Sequence, residues 1–273
     1  GPLARKLLEC GQRPGRPEAP ERFDRLDAGA GVAVPAPFSE RDMRECSDSA
    51  GDVRCPQIAR RELHVLRVLV IEARDKHLDG EAVLVADNPD AGGDFEANAR
   101  DLAGGPLAGR PTETLLVREL GAGTRAAILD AFSRGPSLVS YVGHGGAAVW
   151  ASENVLNTWD APSLPDQSRQ PVLLTLNCLN GYFVAPNFDA LTEALLKADG
   201  RGIVAGVSPS GLSLDAPAHA YHRALAGALA SGGHERLGDA LLAGQKAYAA
   251  GGAMPELLSV YHLFGDPTLR IRP

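Results

Sequence analysis

Ser137-Leu-Val-Ser-Tyr-Val-Gly-His144-Gly-Gly and Pro171-Val-Leu-Leu-Thr-Leu-Asn-Cys178-Leu-Asn-Gly are the two stretches that decide how this chain folds. Each is a continuous apolar run that stops at a reactive side chain in a glycine-containing turn. Runs of this length bounded by turn residues read as strands of a parallel sheet, covered on both faces and ending at a functional loop. A histidine and a cysteine at the ends of two such strands face one crevice. Together they supply a thiol nucleophile and an imidazole base, the minimum for covalent acyl transfer.

Working outward, strands and helices alternate. The pattern predicts a strand over Glu81–Asp87, a helix over Phe95–Leu102, a strand over Glu113–Arg118 and a helix over Thr124–Ser133 capped by Thr124. The two strands quoted above follow, then a helix over Phe188–Ala198, a strand over Gly202–Val207, Ala-rich helices near 216–230 and 235–250, and a last short strand over Leu269–Ile271. Alternation of this kind gives an α/β fold with a mainly parallel sheet and helices on both faces. Ligands of such sheets sit at the carboxyl ends of the strands, where Asp87, His144, Cys178 and Ser208 all fall. Residues 1–59, rich in Arg, Pro and Gly, read as an arm or prosegment, partly disordered, with 60–273 as the catalytic domain. Arg60–Asp75 is helical by length and β-branched by content, and helix is favoured there.

The bulk composition removes several classes of function. A net charge of −7 over 273 residues argues against a phosphate-binding surface, since nucleic-acid affinity rests on clustered Lys and Arg. No apolar run reaches the roughly 18 residues of a membrane span, and no signal sequence is visible at the N-terminus, where Gly1-Pro2 reads as a scar of tag removal that leaves an upstream start, and export, open. Three of the four cysteines, Cys10, Cys46 and Cys55, lie within the first 56 residues; Cys46 and Cys55 either close a small loop or remain free thiols. Cys178 stands apart from them. Buried cysteines are usually packing residues, but here the polar Asn177 precedes the thiol and a Leu-Asn-Gly turn follows. That context exposes the sulfur near backbone N–H groups, which lower a thiol pKa and can hold an oxyanion.

Two competing motifs are weaker. Gly143-His-Gly145-Gly-Ala-Ala148 formally matches a dinucleotide-binding turn, but it follows a late strand rather than the first, and a poor helix start comes after it. Asp215, His219 and His222 hint at a metal, yet no second cluster completes a site.

Gly135-Pro-Ser-Leu-Val-Ser-Tyr-Val-Gly-His-Gly, Trp150, Asn177-Cys178-Leu-Asn-Gly-Tyr-Phe, Glu193-Ala-Leu-Leu, Gly202-Ile-Val-Ala and Phe264-Gly-Asp-Pro-Thr-Leu-Arg-Ile-Arg resemble, in order, the gingipain family of cysteine peptidases. The resemblance spans roughly residues 81–273. It implies a caspase-like three-layer sandwich and a cysteine endopeptidase acting on polypeptides through a Cys-His dyad, with Cys178 as nucleophile and His144 as base. It implies that Asp87 orients the imidazole. Asp94 matches the acid at the foot of the pocket for the substrate's P1 side chain, and reads equally well as a helix N-cap. An acid there implies cleavage after Arg or Lys, while Ser208–Leu214 lacks the aromatic residue that arginine-specific relatives place over the pocket, leaving Ser208 to line it.

The oxyanion is expected at the backbone N–H groups of Gly145 and Cys178. No redox cofactor is required. The resemblance allows structural calcium and suggests a secreted or cell-envelope location. Two alternatives remain open: transfer of the acyl group to an amine instead of water, and a catalytically silent binding module.

Overall fold

The computed structural model describes residues 76–78, 80–251 and 254–272. The arm over 1–59, its cysteines and the segment Arg60–Asp75 lie outside the described residues. The body is built on a six-stranded sheet: β1 Ala82–Ala86, β2 Thr112–Leu116, β3 Leu138–Val142, β4 Val172–Leu176, β5 Ala205–Pro209 and β6 Tyr261–Phe264. Their spatial order is β6-β5-β4-β3-β1-β2, with every pairing parallel except β6 on β5.

Side chains alternate across this sheet, as a pleat requires. Leu84 and Ala86, Leu138 and Val142, and Leu174 and Leu176 face one side, where helices α1 Phe95–Gly104, α4 Asp215–Ala230 and α5 Leu237–Gly251 cover them. Val83 and Val85, Val139 and Tyr141, and Leu173 face the other, under α2 Thr124–Ser133 and α3 Leu191–Lys197. Because both faces are covered, the central strands contain almost no polar residue. The result is the mainly parallel sheet with helices on both faces expected from the alternation, and the three-layer caspase-like sandwich that the resemblance implied.

Differences from the sequence reading are local. Thr124 is the first residue of α2, not its cap; its hydroxyl donates back to the Gly121 carbonyl at 2.8 Å instead of accepting a helix N–H. The second predicted strand stops at Leu116, and Val117–Leu120 winds into a helical turn. Helix α3 begins at Leu191, where Glu193 folds back to accept the Ala190 N–H at 3.0 Å. Strand β5 starts three residues later than predicted, at Ala205. The terminal strand pairs Ile271–Arg272 in parallel with Lys76–His77. Strand β6 was missed, as was the small antiparallel ribbon Gly145–Gly146, Val149–Trp150 and Leu156–Asn157. Two-residue strands are too short to leave a period in a sequence.

Candidate active site

Sheet register brings the two reactive residues together. In the β3–β4 pair Val142 lies opposite Leu176, and the Gly143 N–H donates to the Leu176 carbonyl at 3.1 Å, continuing the ladder past the strand ends. His144 and Cys178 each stand two residues beyond that last pair. Neighbouring strands run about 4.8 Å apart, so the two residues emerge side by side, and both line one cavity of about 220 Å³ with Gly92, Phe95 and Asp215.

The glycines around His144 are spaces that other groups need. A Cβ on Gly143 would lie 2.3 Å from the Asp87 Cβ, and one on Gly92 would lie 2.9 Å from the imidazole Cε1. The ring therefore packs over bare backbone, with Phe95 edge-on at 5.1 Å. Its Nε2 is 2.8 Å from Oδ2 of Asp90. A carboxylate only accepts, so in this pair the proton sits on Nε2 and Nδ1 holds the lone pair.

Asp87, expected to orient the imidazole, does something else. Its Oδ2 accepts the backbone N–H of His144 at 3.0 Å, and Tyr141 Oη donates to the same oxygen at 3.4 Å and to the His144 carbonyl at 2.6 Å. Asp87 thus holds the main chain under the histidine, and burial pushes its carboxyl pKa up against the two backbone N–H groups of Asn88 and His144 that lower it. Asp90, the group on the ring, was not singled out in the sequence. Its signal is there in Asp90-Ala-Gly-Gly, a tight turn in which Asp90 Oδ1 accepts the Gly92 N–H at 2.7 Å, and Asp90 and Gly93 exchange backbone bonds.

Cys178 is only 3% exposed, but what covers it is the cavity's own wall: its Sγ lies 3.7 Å from the Ser213 carbonyl. Leu179, next in the chain, has φ of 63° and gives its N–H to the Gly211 carbonyl at 3.1 Å. A non-glycine residue in the left-handed region stores strain of about 1 kcal/mol or more, and here it turns the chain sharply away just behind the sulfur.

Asn180 ties this turn to the histidine's ribbon. Its Oδ1 accepts from Trp150 Nε1 at 2.6 Å and from Asn177 Nδ2 at 2.5 Å, while its Nδ2 donates to the Gly146 carbonyl at 2.5 Å and to the Val149 carbonyl at 3.2 Å. Gly145 fits beneath, since a Cβ there would meet Asn177 Nδ2 at 2.3 Å. Trp150 stacks face to face on Tyr141 at 4.5 Å.

The remaining expected residues divide. Asp94 is exposed and caps α1, accepting the Ala97 N–H at 2.9 Å; it does not line the cavity. Ser208 does not line it either. It is fully buried between Thr175 and Thr192, with Oγ separations of 2.9 and 2.6 Å, because its position on β5 points into the sandwich. The acid on the cavity is Asp215, at the start of α4. Desolvation raises its carboxyl pKa, Asn98 Nδ2 donates to it at 2.7 Å, and among the described residues it makes no ion pair.

The supposed metal cluster comes apart. His219 Nε2 pairs with Asp101 at 2.8 Å, and His222 is buried against Ser140 Oγ at 3.0 Å. Among the described residues no three His, Cys, Asp or Glu side chains are grouped to hold a metal ion. No helix among them is long and apolar enough to cross a membrane.

A mainly parallel sandwich that presents a cysteine and a histidine at the ends of neighbouring central strands is a caspase-like architecture. The profile of peptidase family C25 matches residues 65–272, and the chain belongs to that family. Gingipain R2 and gingipain R1 of Porphyromonas gingivalis are similar to it, 33% identical over 75 residues; this stretch is 28% of the chain and 10% and 7% of those proteins. The crystal structure of the Arg-specific cysteine proteinase gingipain R is similar in fold, with a TM-score of 0.64 and 23% identity, over 77% of this chain and 53% of that one. The complex of the pro- and mature domains of RgpB from Porphyromonas gingivalis is similar at 0.63 and 23%, over 76% and 52%. The chain spans about half the length of these solved relatives.

Proposed function

We propose that this chain is a cysteine endopeptidase that cleaves polypeptides after a basic residue. One observation carries the reading: Cys178 and His144 continue paired strands by the same two residues and open onto the same cavity. In the proposed reaction His144 Nδ1 takes the thiol proton and Sγ attacks the scissile carbonyl carbon. The C–N bond then breaks as the imidazolium returns that proton to the leaving amine. Water, deprotonated by the same nitrogen, displaces the sulfur and frees the carboxyl product. Backbone N–H groups of Cys178 and Gly145 are the proposed oxyanion donors; one such donor is typically worth about 3 kcal/mol in the transition state.

The preference for Arg or Lys rests on Asp215, not on Asp94. A half-buried carboxyl with a raised pKa and no ion pair among the described residues is costly to ionise, and a substrate guanidinium or ammonium entering the cavity reverses that cost. The relative described as Arg-specific is consistent with this. Residues 1–59, with Arg22, Arg25, Arg41 and Arg44, are then a prosegment open to self-processing.

The test is a peptidyl acyloxymethyl ketone carrying Arg or Lys at the reactive position. Stoichiometric labelling of Cys178 that is lost in His144→Ala supports the reading. An unlabelled thiol, or labelling equal in both proteins, overturns it.

A further inference from the structure

His144 borders a second cavity on its far side, about 490 Å³ in volume, bounded by Gly145, Ala148, Ala151, Asn157 and Trp159. Its walls come from the ribbon that follows the histidine. Trp159 stands at the end of that ribbon with its backbone N–H held by Asn157 Oδ1 at 2.8 Å and its side chain 82% exposed. A fixed main chain carrying an indole in open solvent is an unusual use of the largest apolar side chain. Apart from the histidine, no titratable side chain among the described residues lines this cavity, whereas the first carries Asp215.

We infer that the second cavity seats the residue following the scissile bond, with Trp159 stacking on an uncharged, preferably aromatic, side chain there. The inference rests on the peptidase reading, and the direction of the peptide follows from the chemistry. The acyl carbon must bond to Cys178, which lines only the first cavity. The leaving nitrogen must receive its proton from His144, which lines both. The acyl half therefore occupies the first cavity and the amine half passes the imidazole into the second. With Asp215 in one cavity and only apolar and neutral polar side chains in the other, the two sides of the cleaved bond are read by different rules: a cation before it, an uncharged ring after it. The same cavity would hold an amine that competes with water for the acyl group.

Trp150 is fully buried and the chain has two tryptophans, so Trp159 is the indole whose emission reports on a ligand. Full-length Cys178→Ala protein is titrated with Phe-Gly-Gly, Gly-Gly-Gly and Asp-Gly-Gly amides, whose free amino termini mimic the leaving product. The Phe peptide is expected to shift the emission saturably and to bind about three- to tenfold more tightly than the Gly peptide, the range of one aromatic pair. The Asp peptide is expected to bind no better than Gly. The emission response should vanish in Trp159→Ala, a surface substitution that leaves the core untouched.

In the active protein, the ratio of kcat/KM for peptides with Phe and Gly after the cleaved bond should be about three to ten and fall to about one in Trp159→Ala. Equal binding of the three peptides, or a ratio unchanged by the substitution, overturns the inference. If the active protein cleaves neither substrate, the peptidase reading fails by itself, and the titration still decides whether the cavity takes the amine half.

Discussion

Asn180→Ala should loosen the whole site without touching either reactive residue. The asparagine is fully buried and engages two donors, Trp150 Nε1 and Asn177 Nδ2, and two acceptors, the carbonyls of Gly146 and Val149. Alanine leaves four polar groups short of a partner inside the protein. A buried hydrogen bond contributes about 1 kcal/mol net, and each orphaned group costs about 1 to 3 kcal/mol. Four such losses, partly relieved where solvent enters the vacated space, place the total at about 3 to 5 kcal/mol. The assay is urea unfolding in a Cys178→Ala background, where self-digestion is absent. Trp150→Phe, which removes one donor and keeps the ring stacked on Tyr141, should cost roughly 1 kcal/mol. In the double variant the two effects should fall short of additive, because the shared bond can be lost once. A cost below about 1 kcal/mol for Asn180→Ala, or full additivity with Trp150→Phe, would refute the clamp.

Four further outcomes are expected. Gly143→Ala should destabilise the protein by about 1 to 3 kcal/mol in the same urea assay, because the new methyl lands 2.3 Å from the Asp87 Cβ. Asp90→Ala should slow labelling of Cys178 at least tenfold and alter its pH profile while urea stability barely moves; Asp87→Ala should instead lower the unfolding free energy by about 2 kcal/mol, since it removes charged hydrogen bonds to the main chain. Asp215→Asn should reduce kcat/KM on substrates with Arg or Lys before the cleaved bond at least tenfold, mostly through KM, and leave a neutral side chain there less affected; uniform loss across a fluorogenic panel would remove Asp215 from specificity. Burial holds the His222 pKa down at about 3, so the folded state keeps this ring neutral while the unfolded chain protonates it below about 6.5. Its stabilising contribution is complete above pH 6.5 and is lost as pH falls toward 3, at about 1.4 kcal/mol per pH unit, and a His222→Gln variant should flatten urea stability between pH 6.5 and 4.5.

The elements that could be read from the sequence are those whose residues obey one period throughout. The four parallel strands of the sheet centre are mostly apolar runs, broken only by the small buried hydroxyls of Ser140, Thr175 and Ser208, because helices cover both faces, and the two ending at His144 and Cys178 also name the site. What could not be read depends on contacts between distant segments. Tyr261–Phe264 is a strand because β5 offers it an edge, and nothing in Tyr-His-Leu-Phe announces an antiparallel partner 50 residues upstream. Asp87 and Asp90 both lie just past β1, and composition cannot say which carboxylate reaches the ring and which the backbone; the Asp90 turn decides it. Asp94 and Asp215 pose the same problem at the cavity. A Cβ on Gly93 would lie 2.4 Å from the Asp215 carboxyl carbon, so the start of α4 packs against the loop before α1, a contact between residues 122 positions apart. Ser208 failed for a simpler reason. The expected strand ends at Val207 and leaves Ser208 in the loop beyond it, but β5 runs on to Pro209, so Ser208 is a strand residue whose side chain turns into the sandwich.

The geometry that matters most in this protein comes from sheet register, and the loops only preserve it. With Val142 paired to Leu176, any nucleophile and base placed two residues later on each strand emerge as neighbours. A register slip of one residue would turn the slipped strand's side chains to the opposite faces and disturb both core clusters at once, so the alignment is protected by the entire hydrophobic interior. Beyond the strand ends that protection stops, and Gly143, Gly145 and the left-handed Leu179 give the chain sharp turns with little stiffness of their own. The Tyr141–Trp150 stack and the Asn180 clamp begin where the ladder ends, and they connect the histidine's ribbon to the cysteine's turn through three hydrogen bonds to one side chain, which takes a fourth from Asn177 within the turn. Rigidity at the reactive pair is therefore inherited in two stages, from core burial through strand register and then from a single buried amide. The second stage is much the weaker, which is why a substitution at Asn180 should be felt at His144 and Cys178 before the sheet itself responds.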